Sequence, residues 1–139
     1  YDEHFAGGEA GSVSSINYVK NGIAGMLENV PREKLIGGVP FYTKLWTEVG
    51  DGTITSKAMG IAEEKRWVDN NQVELTWQTD TAQYYGEVQT SDGAQFLWME
   101  EERSIGLKID LIRTNNLAGV ACWKLGFEPS DIWDIVKLP

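Results

Sequence analysis

The side chains able to do chemistry are few and well separated along the chain. His4 is the single histidine, which excludes a multi-His metal site, and no metal is expected. Cys122 is the single cysteine. It cannot form an intrachain disulfide, and its place inside the apolar run Leu117 to Trp123 reads as a buried structural thiol rather than a reactive one. Glu100, Glu101 and Glu102 stand together at the entrance of a predicted helix, where the positive end of the helix dipole favours negative charge. Solvated capping is the expectation for them, with one of them lining a cleft as the lesser alternative. The sequence holds no glycine-rich phosphate loop and no Ser-His-Asp arrangement, and no cofactor is expected. Aromatic residues remain. Tyr42 closes one apolar run and Trp123 another, and on sequence alone a Trp ending an apolar strand is more often core than surface.

Elements must position these residues, and the pattern supplies them. Ile16, Val19, Ile23, Met26, Leu27 and Val30 recur at helical spacing, with Ser14 or Ser15 placed to cap the start and Pro31 to close the segment. Leu35 to Tyr42 is a short apolar run that fits a parallel strand covered on both faces. Val49 to Thr55, rich in Gly, Asp and Thr, reads as a loop. Ile61 to Asn70 reads as a helix. Val73, Leu75 and Trp77 then alternate with polar residues, and strand candidates Ala82 to Val88 and Ala94 to Met99 are joined by the hairpin signal Ser91-Asp92-Gly93. Ser104 opens a helix closed by Asn115-Asn116. Leu117 to Trp123 is a second strand apolar on both faces, and Pro129 starts a short final helix.

Helix, strand, insertion, helix, strand, helix is the order of a (β/α)8 barrel read from its middle to its end. A complete barrel needs about 250 residues, more than the 139 present. The fold class expected is α/β, a partial TIM barrel of its last strands with a small α+β insertion. The divisions expected are residues 1–49 and 101–139 as barrel segments and 50–100 as the insertion. Of all residues 42% are hydrophobic and 11% aromatic, the balance of a packed globular chain. The formal charge is −9 and the basic residues Lys34, Lys44, Lys57, Lys65 and Arg103 are scattered singly, so nucleic acid is not an expected partner. The apolar stretches are too short to span a bilayer.

Four dispersed motifs, in order, carry a specific resemblance. Tyr1-Asp2 followed by Glu3-His4, the block Gly38-Val39-Pro40-Phe41-Tyr42, the run Trp98-Met99-Glu100 leading into Ser104, and Gly119-Val120-Ala121-Cys122-Trp123 resemble the later barrel strands of family 18 glycoside hydrolases. They are most similar to the bacterial branch of spore-cortex and cell-wall N-acetylglucosaminidases that carry LysM domains. The resemblance implies that the α+β segment lies between the seventh and eighth strands. It also implies hydrolysis of β-1,4 linkages in N-acetylglucosamine polymers, peptidoglycan or chitin, by a retaining route in which the substrate's own N-acetyl carbonyl attacks the anomeric carbon.

The family's D-x-x-D-x-D-x-E run, whose final Glu is the acid, is absent from this chain. No catalytic residue is therefore assigned within it, and the chain alone is expected to be inactive. By the resemblance, Tyr1 donates to the N-acetyl oxygen, Asp2 faces the sugar beside it, Tyr42 ends the seventh strand at the site, and Trp123 stacks under the cleaved sugar. Lys44 stands where many relatives have Arg, and supplies a charge without the planar fork. Trp46, Trp77 and Trp98 either extend the cleft or, the preferred reading, hold the small sheet together. The alternative function is a lectin-like binder that has lost the acid. The resemblance places the parent protein outside the cell, at the wall or spore. Uncovered strand edges of a partial barrel lead to an expected homo-oligomer.

Overall fold

A computed structural model describes residues 1–137. Helix α1 spans Ile16–Leu27, and Ser15 caps it by accepting from the Tyr18 amide. A 3-10 turn at Arg32–Lys34 leads into strand β1, Ile36–Pro40. Strand β2 is Tyr42–Glu48, β3 is Ile54–Gly60, helix α2 is Ile61–Asn70, and β4, β5 and β6 are Leu75–Gln78, Gln83–Thr90 and Gly93–Trp98. Helix α3, Glu102–Thr114, strand β7, Gly119–Trp123, a 3-10 turn at Ser130–Ile132 and helix α4, Trp133–Val136, complete the order.

The strands form two sheets. Strands β1 and β7 pair in parallel, Ile36 opposite Gly119 through to Pro40 opposite Trp123. The other five form an antiparallel sheet in the order β3-β2-β6-β5-β4. Each sheet has its own core. Val39 and Phe41 pack with Ile105, Ile109 and Ile112 of α3 and with Ile132 and Val136. Leu45, Met59, Leu97 and Met99 pack against Val68 of α2.

The antiparallel sheet reaches back beyond the expected start of the insertion at residue 50, because Tyr42–Glu48 is one of its strands. That strand escapes the alternation test since Tyr42 to Trp46 are all buried. The segment before α1 covers one face: the Trp46 indole N–H donates to the Gly11 carbonyl at 2.9 Å and the Lys44 ammonium to the His4 carbonyl at 2.8 Å. The loop expected over Val49 to Thr55 gives way at Ile54 to strand β3, which carries no alternation signal because it is an edge strand with small and polar residues, mostly exposed.

The hairpin at Ser91-Asp92-Gly93 forms, with Thr90 paired to Gly93. Gly93 has φ of 131°, and a Cβ there would run into the Glu48 carbonyl, so only glycine fits. Helix α3 starts two residues before Ser104. Glu101 is its N-cap, accepting from the Arg103 and Ser104 amides, while the Ser104 hydroxyl accepts from the Glu101 amide in a reciprocal capping box.

Candidate functional site

The parallel pair delivers its residues to one end. The Phe41 amide donates to the Trp123 carbonyl at 2.7 Å, so Trp123, which ends β7, lies beside the β1–β2 junction, where Tyr42 opens β2 rather than ending β1 as expected. Trp123 is 56% exposed. Tyr42 is buried, and its hydroxyl donates to Asp2 Oδ1. Asp2 has φ of 67°, a left-handed conformation that Asp tolerates better than most residues. The Tyr1 ring meets Tyr42 edge-on, with centroids 6.2 Å apart and planes at 85°. It also lies over Gly38, where a Cβ would come within 3.2 Å of Tyr1 Cε1. The four residues singled out in the sequence thus meet in one corner: Tyr1, Asp2 and Tyr42 in contact, and Trp123 at the same strand ends.

Burial, then the hydrogen bond to Asp2, holds the Tyr42 phenol well above its usual value. Tyr1 is held up as well, by burial first and then by the charges of Asp2 and Cys122. Both phenols therefore stay neutral across the physiological range and remain proton donors. Two neutral phenols, one carboxylate and an exposed indole suit a ligand with an apolar ring face and an acylated amine. Such an indole can stack on a ring face, a neutral phenol can donate to an acyl oxygen, and a carboxylate can accept from an N–H.

Lys44 does not reach this corner as a free charge. Its ammonium is spent on the His4 carbonyl, and burial lowers its proton affinity, against a smaller opposing pull from Asp2. Glu3 and His4, neither of them an expected site residue, have structural partners. Glu3 accepts from the amide and hydroxyl of Ser15, at 2.7 and 3.0 Å, and His4 Nδ1 lies 2.8 Å from the Ser12 carbonyl. Phe127, which no motif or spacing singles out, packs against Tyr42 with centroids 6.5 Å apart.

Trp46 is 1% exposed and belongs to the packed interior. Trp77 carries the Arg103 guanidinium 3.6 Å above its ring, and the Trp98 indole donates to Gln78 Oε1 at 2.8 Å. The solvated reading of the three glutamates is corrected for two of them. Glu100 is fully buried, paired to Lys108 at 2.9 Å, and Glu101 is buried as the cap of α3. Only Glu102, bonded to Lys65 at 2.5 Å, is near solvent. Cys122 is partly rather than fully buried, packed at the margin of the α3 core. Burial, then Glu128, pushes its thiol up to about 11, so it is not a ready nucleophile. Among the described residues no group of three or more His, Cys, Asp or Glu could hold a metal ion.

A family model described as Glycosyl hydrolases family 18 matches residues 5–128, a span that includes Tyr42 and Trp123 and begins just after Tyr1 and Asp2. The chain is 28% identical over 138 residues to the uncharacterized glycosylase YvbX of Bacillus subtilis, covering 99% of this chain and 40% of that protein. It is 28% identical over 135 residues to the cortical fragment-lytic enzyme of the same organism, covering 96% of this chain and 31% of that one. Among solved structures, the spore cortex-lytic enzyme SleL of Bacillus megaterium superposes with a TM-score of 0.84 at 25% identity, over 95% of this chain and 31% of that chain. A chitinase from Chromobacterium violaceum superposes at 0.89 and 22% identity, over 98% and 42%; this likeness is one of fold. The chain thus spans less than half the length of each of these proteins.

Proposed function

Since the chain belongs to family 18 of the glycosyl hydrolases, we propose that it forms the sugar-orienting part of a glycosidase acting on β-1,4 linkages of N-acetylglucosamine polymers such as peptidoglycan or chitin. In this reading β1 and β7 are the last two strands of a barrel. The antiparallel sheet is the insertion between them, running from Tyr42 rather than residue 50, and the described residues from 101 onward are the closing barrel segment.

The observation that carries the reading is the convergence of Tyr1, Asp2 and Tyr42 beside an exposed Trp123 at the ends of two parallel strands. The Trp123 indole takes the apolar face of the sugar undergoing cleavage. Asp2, held by Tyr42, orients the N-acetyl N–H, and Tyr1 donates to its carbonyl oxygen as that oxygen attacks the anomeric carbon. Charge developing on the acyl group is then met by groups already in place. The proton for the leaving oxygen comes from a carboxylic acid outside these 139 residues. The names of the relatives, cortex-lytic and fragment-lytic, favour a wall or spore-cortex substrate and a site of action there.

The test is turnover of N-acetylglucosamine oligomers and of peptidoglycan by the chain alone and by the chain joined to its upstream half. The joined protein should hydrolyse and the chain alone should not. Hydrolysis by the chain alone, removed by changing a carboxylate within it, contradicts the reading, and so does an inactive but folded joined protein.

A further inference from the structure

Between α2, β5, α3 and the β6–α3 junction lies a polar cluster that the site chemistry does not use. Glu64 of α2 is fully buried, as are Glu100 at the end of β6 and Gln83 of β5, and Lys108 of α3 is 1% exposed. Lys108 donates to both oxygens of Glu100, at 2.9 and 3.0 Å. The Ser104 hydroxyl donates to Glu100 at 2.8 Å and the Gln83 amide at 2.9 Å, and Gln83 in turn accepts from Ser12. Glu64 receives only the Glu100 amide, at 3.3 Å on Oε2, and its Oε1 is buried without a partner.

The charges do not balance if every carboxyl is ionised. Facing Glu64 are Glu100 and Glu101 from the β6–α3 junction, Lys108 of α3 behind Glu100, and Lys65 on its own helix. Lys108 is committed to Glu100, and Lys65 to Glu102, with Asp131 also near it. Glu101 is occupied with the amides of Arg103 and Ser104. Among the described residues no cation is left for Glu64, and an unpaired buried carboxylate beside Glu100 is strongly disfavoured.

We propose that Glu64 is a proton-operated latch: neutral, it lets α2 close onto the Glu100–Lys108 pair and fasten the antiparallel sheet to α3, and ionised, it pushes that junction apart. Burial, then the neighbouring Glu100 charge, raises Glu64's hold on its proton well above the ordinary carboxylate value. The Glu100 charge also reaches Tyr42, as the smallest of the influences that raise its phenol. Because the folded-state value is raised, the stabilisation is complete below the ordinary carboxylate range and is lost as pH rises through the folded-state value.

The test compares thermal midpoints of the wild-type chain and Glu64→Gln between about pH 5 and about pH 9. The wild type should lose about 5 °C or more over that range, and the variant less than half as much. Parallel curves would overturn the proposal. Should the variant fail to fold, the infrared spectrum of the wild type decides: at about pH 6, above the ordinary carboxylate range, it should contain the carbonyl stretch of a buried, un-ionised carboxylic acid. Absence of that band overturns the proposal equally.

Discussion

Trp123 ends an apolar strand yet shows more than half of its surface to solvent, so its indole is free to act on a ligand. Trp123→Ala in the joined protein should lower kcat by about 10²-fold, the scale of a misplaced reacting group. Stability should change by only about 0.5 kcal/mol, as for exposed positions. Initial rates and a urea midpoint check both, and a variant that unfolds or keeps full rate removes Trp123 from the site. The strand-end positions of Trp123 and Tyr42 were legible because each closes an apolar run, whereas that pattern alone favoured a core role for Trp123 and the site roles rested on the resemblance. The tasks of Glu3, His4 and Lys44 were not, since their partners Ser15, Ser12 and the His4 carbonyl lie 8 to 40 residues away. Glu64 and Lys108 did leave a signal. Each falls on the buried stripe of its helix, with Ile61 and Val68 in one case and Ile105, Ile109 and Ile112 in the other.

At the scale of elements, helical periodicity located α1, α2 and α3, and the hairpin glycine located β5 and β6, because both signals are local. Strand β2 was hidden by a covering segment distant in sequence, and β3 by its exposure. The stripe of α1 was read correctly but is only partly covered. Of its residues only Ile23 is buried, Met26 is 49% exposed, and the stripe faces a groove of about 230 Å³ shared with Leu35, Ile36 and Leu117. Among the described residues β1 pairs only with β7, and Ile36 is 58% exposed. Such edges invite a second chain. Burial between copies is worth about 25 cal/mol per Å² before association costs, and a stable contact needs on the order of 1,200 Å². The chain should therefore self-associate through β1, β7 and the α1 groove. Sedimentation that shows only monomer at high concentration, or an interface confined to residues 60–100, speaks against it.

At the scale of the whole molecule, β1 passes through Phe41 into β2 of the antiparallel sheet, so the candidate corner lies at the junction of the two sheets. With six Trp side chains in the chain, the indole N–H resonances report directly on which surface a saccharide occupies. In a titration of the chain with tri-N-acetylchitotriose followed by NMR, the Trp123 indole and the amides next to Asp2 and Tyr42 should shift. The Trp46 indole, bonded to the Gly11 carbonyl, should stay where it is. Shifts gathered instead on Trp67 and Trp77, or no shift at millimolar saccharide, would contradict the assignment of this corner to N-acetylglucosamine.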